Sequence, residues 1–251
     1  MSAVINETTG ISKHGVSAEL AAISTHLGSL FPARCAAVAC SVTERPSGAF
    51  DDARLNQRFS RARKNQFLAG RWAASTALGA LGSPVRTVPR GVANEPVWPE
   101  GVVGAIAHID DIAVAVVARR REISGLGIDL EVLGAVSPDM WQYVFSAEEI
   151  RRLQASPPSE QAKRATVAFS AKEAFFKLQF PYTRRWVDFD AAQVTIVGDR
   201  CLVRVVEPFQ LAGSAVREVH GAFRVTNSNV LVGLWAEGRP EGEPVQIDST
   251  P

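Results

Sequence analysis

The chain has 251 residues, 46% of them hydrophobic and 21% charged, and a formal net charge of +1. That balance suits one large or two small globular domains and argues against a strongly nucleic-acid-seeking surface. Three cysteines without metal-ligand spacing (Cys35, Cys40, Cys201), no basic flank and apolar run at the N-terminus, and a longest apolar stretch of only 112–118 argue against disulfides, zinc, a signal peptide and a membrane span. The expectation is a soluble cytoplasmic protein.

In chain order, residues 1–15 read as a polar, flexible lead-in. Residues 54–81 predict a helix in which Phe59, Phe67, Trp72 and Leu78 recur among polar residues, with Gly82 as its stop. After a Pro-rich connection come β-branched runs at 102–106 and 112–118, with a turn at Asp110-Asp111. Ser146 and Glu149 have the spacing of a capping box that opens a short helix. A long helix over 160–180 follows, then strands at 193–197, 201–206, 219–225 and 230–235, and a flexible tail at 238–251 rich in Pro, Gly and acids. Helix then strands, twice over, predicts an α+β fold of two similar lobes related by a pseudo-twofold axis. Each lobe is a long helix packed on a small antiparallel sheet, with the active site in the cleft between them. The expected lobes are 16–125 and 126–237.

Gly127-Ile128-Asp129-Leu130-Glu131 reads as the end of a strand. Residues two apart share a side there, so Asp129 and Glu131 face one cleft while Ile128 and Leu130 are buried behind. Two carboxylates that close repel each other, and a hard divalent cation relieves them; solvated acids on an edge strand are the alternative. In Phe169-Ser-Ala-Lys-Glu-Ala-Phe-Phe-Lys177, Glu173 and Lys177 are four apart and share a helix face. Ala171, Phe175 and Leu178 make one apolar stripe and Phe169, Phe176 and Phe180 a second. A helix apolar on two sides is wedged into the protein, which sets Glu173 and Lys177 in an interior cleft rather than in a surface ion pair. Ser170 and Glu173 also have capping-box spacing, but the helical pattern already runs through Ala165 and Ala168, which leaves Glu173 free.

Taken together, the two segments resemble the signature of the phosphopantetheinyl transferases, G-x-D-x-E followed roughly forty residues later by W/F-[ST]-x-K-E-x-x-x-K. Gln66-Phe-Leu-Ala-Gly-Arg71-Trp-Ala-Ala, Glu95-Pro-Val-Trp-Pro99, Gly104-Ala-Ile-Ala-His108 and Asp188-Phe-Asp190 resemble further segments of the enterobactin-synthetase and surfactin-type subgroup. The resemblance implies transfer of phosphopantetheine from coenzyme A to a serine of an apo carrier protein, with release of 3′,5′-ADP. It implies carriers of peptide, polyketide or fatty-acid assembly and siderophore or secondary-metabolite pathways; two fused lobes that complete one cleft in a single chain lead to the expectation of a monomer.

By the same resemblance Asp129, Glu131 and Glu173 bind Mg²⁺, and Glu173 and Lys177 are catalytic. Arg63, Arg71, Arg90, His108, Lys172 and Lys177 contact coenzyme A, His108 at the 3′-phosphate. Arg58, Arg61, Arg63 and Lys64 form a basic helix face toward phosphate, carrier or solvent. Trp98 reads as a packing anchor. Two departures stand out: Ala105 and Ala107 replace hydroxyl residues of the relatives, and 92–95 lacks their Lys or Arg. They motivate an alternative, a catalytically weak coenzyme A or carrier-binding scaffold. A Mg²⁺-dependent pyrophosphate hydrolase is a third reading of the same carboxylates.

Overall fold

A computed structural model describes residues 13–43 and 59–238. Two elements precede the expected ones, helix α1 (Lys13–Leu30), which takes in residues 13–15 of the expected flexible lead-in, and strand β1 (Ala36–Ser41). Helix α2 (Arg61–Ala80) follows, its start fixed by Ser60, whose side chain accepts from the Arg63 N–H at 3.2 Å. The cap puts the helix start seven residues beyond the expected position; 54–58, and Arg58 with them, lie outside the described residues, as do the leading residues 1–12 and 239–251 of the expected tail. Gly82, at φ 72°, closes α2 in the left-handed conformation, and the Ser83 N–H returns to the Leu78 carbonyl.

Strands β2 (Val102–His108) and β3 (Ile112–Arg119) join β1 in an antiparallel sheet of order β1-β3-β2. Strand β4 (Ile123–Val132) begins the second sheet. Short helices α3 (Trp141–Val144) and α4 (Ala147–Gln154) come next, and α4 opens on the expected capping box, with both reciprocal bonds formed. The long helix α5 (Pro158–Thr183) leads through a 3-10 turn at Phe189–Ala191 to β5 (Ala192–Val197), β6 (Arg200–Leu211), β7 (Ser214–Val225) and β8 (Asn229–Glu237). The second sheet is antiparallel with order β4-β8-β7-β6-β5. The α+β class and the two antiparallel sheets agree with expectation, although the halves are unequal, with three strands against five. The strands β6 and β7 run past their apolar stretches and meet in a turn at Ala212-Gly213, which hydrophobicity alone does not mark.

Three apolar clusters position the site. Alanines 69, 73, 74 and 77 of α2 pack on Ala113, Ala115 and Val117 of β3. Helix α5 packs through Ala171, Ala174, Phe175 and Leu178 on Val230, Val232 and Leu234 of β8 and on β5 and β6. Between the sheets, Ile23 and Leu27 of α1 join Val103, Val114 and Val116 with Leu126, Ile128 and Leu130 of β4. Beyond the register shift between Ile123 and Gly125, alternation along β4 sends Leu126, Ile128 and Leu130 into the inter-sheet core and the odd-numbered residues toward α5. Gly127 permits the close approach, since a Cβ there would collide with the Ala174 carbonyl oxygen. Gly70 does the same for α2, where a Cβ would meet Ile106 Cγ2 at 2.7 Å. These two contacts bring α2 and α5 down onto the neighbouring edge strands β2 and β4, and the cleft lies between the helices. No helix among the described residues is long and apolar enough to cross a membrane.

Candidate active site

The cleft holds a cavity of about 460 Å³ lined from α2, β2, β4 and α5, with the loop before β2 and Trp186 at its edge. Its size suits a cofactor-sized ligand. Arg63, Arg71, His108, Asp129, Glu131, Glu173 and Lys177 all line it, so seven of the residues singled out in the sequence meet in one place. Two others do not line it. Lys172 is 3% exposed, and its ammonium lies 2.8 Å from Glu149 Oε2 and 2.6 Å from the Phe189 carbonyl. One residue of helix turns a side chain by about 100°, so the neighbour of Glu173 faces another partner. Arg90 lies behind the rim, its Nε donating to Asn94 Oδ1 at 2.6 Å and its guanidinium 5.2 Å from the Phe59 ring centroid. Trp98 packs against Gly104, where a Cβ would meet its ring at 2.8 Å, consistent with an anchor.

One end of the cavity is acidic. Asp129 is 4% exposed and accepts from the Ser170 hydroxyl at 2.8 Å and from Lys177 Nζ at 2.5 Å. Burial, with the charges of Asp129 and Glu173 beside it, pushes the Glu131 carboxyl up to about 7. Burial and Asp129 raise Glu173 as well. Glu131 and Glu173 are thus held where the charged form is costly, and Lys177 supplies only one compensating charge. Among the described residues no three His, Cys, Asp or Glu side chains already converge on a metal-sized point. The donor set is all oxygen, the chemistry a hard cation takes.

The other end is basic. Arg71 is 6% exposed, and its Nε and Nη2 have no hydrogen-bond partner among the described residues. Its guanidinium rests on the Phe67 ring, 4.6 Å from the centroid. Burial, with Arg90 near by, lowers its pKa to about 10, which leaves it fully charged at neutral pH. A buried cation with idle N–H donors beside a cavity is a site built for an anion. Arg63 Nη1 lies 3.1 Å from His108 Nε2, which must then accept, leaving the proton on Nδ1. That Nδ1 is buried and unpartnered among the described residues. Burial, Arg63 and Lys177 push the imidazole down to about 4, so it is neutral until a negative group arrives.

Some residues of this site escape a reading of local patterns. Ser170 orients Asp129 across 41 positions of sequence; its place in the [ST]-x-K-E segment is the one available signal. Trp186, 80% exposed, stacks on Phe176 with centroids 4.8 Å apart and lines the cavity mouth. Burial lifts the Cys35 and Cys201 thiols to about 12, so neither is a nucleophile at neutral pH.

Residues 51–118 match the 4′-phosphopantetheinyl transferase N-terminal domain, and residues 125–220 match the 4′-phosphopantetheinyl transferase superfamily. The chain is similar to 4′-phosphopantetheinyl transferase PptT of Mycobacterium tuberculosis, 31% identical over 199 residues that cover 73% of this chain and 84% of the relative. It is similar to 4′-phosphopantetheinyl transferase Svp of Streptomyces mobaraensis, 35% identical over 70% of this chain and 68% of the relative. With enterobactin synthase component D of Salmonella typhimurium it shares 39% identity over 54% of this chain and 56% of the relative.

Proposed function

The chain belongs to the 4′-phosphopantetheinyl transferase superfamily, and we propose that it transfers the 4′-phosphopantetheine group of coenzyme A to a serine of an apo carrier protein, releasing 3′,5′-ADP. The observation that supports this reading best is one cavity with three carboxylates at one end and, at the other, a buried Arg71 whose Nε and Nη2 have no hydrogen-bond partner among the described residues. A polyphosphate ligand that carries a divalent cation satisfies both ends at once.

Asp129, Glu131 and Glu173 fit Mg²⁺, because they are oxygen donors whose burial and mutual repulsion already disfavour three negative charges. When bound, Mg²⁺ polarises a phosphoryl oxygen as a Lewis acid and neutralises charge on the leaving nucleotide. Arg71 and Arg63 hold phosphate oxygens, and His108 Nδ1–H donates to the 3′-phosphate. Glu173 takes the proton of the carrier serine as its oxygen bonds to phosphorus and the bond to 3′,5′-ADP breaks. Lys177 donates toward the phosphate or the departing oxygen. Lys172 has no part at the ligand, since its ammonium is used by Glu149 and Phe189.

The similarity to enterobactin synthase component D favours carriers of siderophore or related secondary-metabolite assembly. Both walls of the cleft come from one chain, which supports a monomeric working unit. Membership of a transferase family does not favour the scaffold or the hydrolase. Chromatography of 3′,5′-ADP tests the choice. The transferase releases it only with coenzyme A, Mg²⁺ and an apo carrier all present. Release of 3′,5′-ADP and free phosphopantetheine without a carrier would point to the hydrolase, and none under any condition to the scaffold.

A further inference from the structure

One ion pair at the cavity mouth links the two halves of the chain. Glu95 sits on a tight loop closed by the bridge between Arg90 and Pro96, by the Gly91 N–H on the Glu95 carbonyl at 2.8 Å, and by Asn94 at φ 71°. The loop turns the Glu95 side chain inward. Its Oε2 accepts from the Ala93 N–H at 2.9 Å, and a Cβ on Gly91 would collide with the carboxylate. The side chain is 8% exposed and lines the same cavity as Arg71. A fixed negative charge therefore stands in the wall of a pocket otherwise suited to phosphate.

Its counter-charge comes from the other half of the molecule. Arg184 is the C-terminal cap of α5 in the left-handed conformation, φ 55°, and its Nη1 bonds Glu95 Oε1 across 89 positions of sequence. The Arg184 guanidinium also lies over the Phe180 ring, 5.9 Å from the centroid, and Phe180 lines the cavity. The hydrogen bond from Arg184 holds the Glu95 carboxyl below the usual carboxylate range, so it stays ionised and needs the arginine. Residues 91–96 bring no Lys or Arg of their own.

We propose that Arg184 and Glu95 form a charge-neutralising clasp at the mouth of the nucleotide pocket, with Arg184 as a positioning residue that keeps Glu95 from repelling the phosphates of coenzyme A. The inference rests on the coenzyme A reading given above. A bare carboxylate within several ångströms of a polyanion costs affinity even at an effective dielectric near 20. It acts on the bound nucleotide before and during transfer alike, so the effect falls on binding rather than on turnover.

The test pairs calorimetry of coenzyme A binding with steady-state transfer for the wild type, Arg184→Ala, Arg184→Lys, Glu95→Gln and the Arg184→Ala/Glu95→Gln double variant. Arg184→Ala is expected to raise Kd and KM for coenzyme A roughly tenfold, with kcat within about twofold of wild type. Arg184→Lys keeps the charge and stays near wild type. Glu95→Gln keeps the acceptor for Ala93 and removes the repulsion, so the double variant returns to within about threefold of wild type. Circular dichroism confirms folding of each variant. An Arg184→Ala variant that binds as the wild type does overturns the clasp. So does a loss that persists undiminished with Glu95→Gln, because Arg184 then acts on the ligand or on the fold. Absence of coenzyme A binding by the wild type would instead remove the functional reading itself.

Discussion

Lys177 Nζ lies 2.5 Å from Asp129 Oδ1, so an ammonium from α5 already occupies one of the three carboxylates at the acidic end of the cavity. The lysine and an incoming cation thus compete for the same oxygen. Lys177→Met is expected to tighten Mg²⁺ binding roughly tenfold in calorimetry without coenzyme A, because one positive charge leaves the site. The same change should lower kcat by roughly a hundredfold, the usual scale for loss of a positioned proton donor. Unchanged Mg²⁺ affinity would separate Lys177 from the metal site.

The raised Glu131 and Glu173 carboxyls give the metal-free protein a defined pH response. A carboxyl at about 7 in the fold, above its ordinary 4.5, lends stability that is complete below the unfolded value and lost as pH rises through 7. Glu173 shifts in the same direction. Mg²⁺ replaces the proton, so its addition should raise the melting temperature more at about pH 8 than at about pH 6. Glu131→Gln should flatten the difference. Equal stabilisation at both values would contradict a cation held by these acids.

At the basic end, Arg71→Met should weaken coenzyme A by roughly thirtyfold, the scale of one or two charge-assisted hydrogen bonds, with little change in Mg²⁺ binding. His108, held at about 4 in the free protein, should show a neutral imidazole by NMR across the physiological range. Bound coenzyme A should raise that value, and dephospho-coenzyme A should raise it less. An imidazole that titrates identically in all three states would remove it from the 3′-phosphate.

Lys172 and Glu149 form a buried pair with side chains 2% and 3% exposed. Glu149 also accepts from the Val194 and Ser146 N–H groups, at 2.8 and 2.9 Å, so the pair ties α4, α5 and β5 together. Lys172→Met strands a buried carboxylate and should cost about 3 kcal/mol in denaturant unfolding. Adding Glu149→Gln should recover part of that loss. A surface-like cost below about 0.5 kcal/mol would show that the pair is not closed in solution.

The meeting of Asp129, Glu131, Glu173 and Lys177 in one cavity was legible because its geometry is local. Two-residue spacing on β4 and four-residue spacing on α5 place Asp129 with Glu131 and Glu173 with Lys177, whatever the rest of the chain does. Contacts distant in sequence were not legible. Ser170 with Asp129, Arg184 with Glu95 and Lys172 with Glu149 are set by register and helix phase, to which sequence spacing is blind. The motif that places Lys172 at coenzyme A does not encode helix phase, which turns its ammonium to Glu149 and the Phe189 carbonyl. Helix α1 and strand β1 escaped for a different reason. Strand β1 is mostly Ala, Cys and Ser, which carries little β signal; helix α1 does present a stripe at helical spacing, Val16, Leu20, Ile23, Leu27 and Leu30 against the inter-sheet core, but Ser, Thr, His and Gly around it lower the contrast.

Intact-mass spectrometry of apo carrier proteins incubated with this chain, coenzyme A and Mg²⁺ is the direct test of phosphopantetheine transfer. At least one carrier of a siderophore or secondary-metabolite assembly line is expected to gain the mass of one phosphopantetheine group on its serine. Asp129→Ala, Glu131→Ala and Glu173→Ala should each nearly abolish the gain. Unmodified carriers across peptide, polyketide and fatty-acid types, from a folded protein that binds coenzyme A, would contradict it.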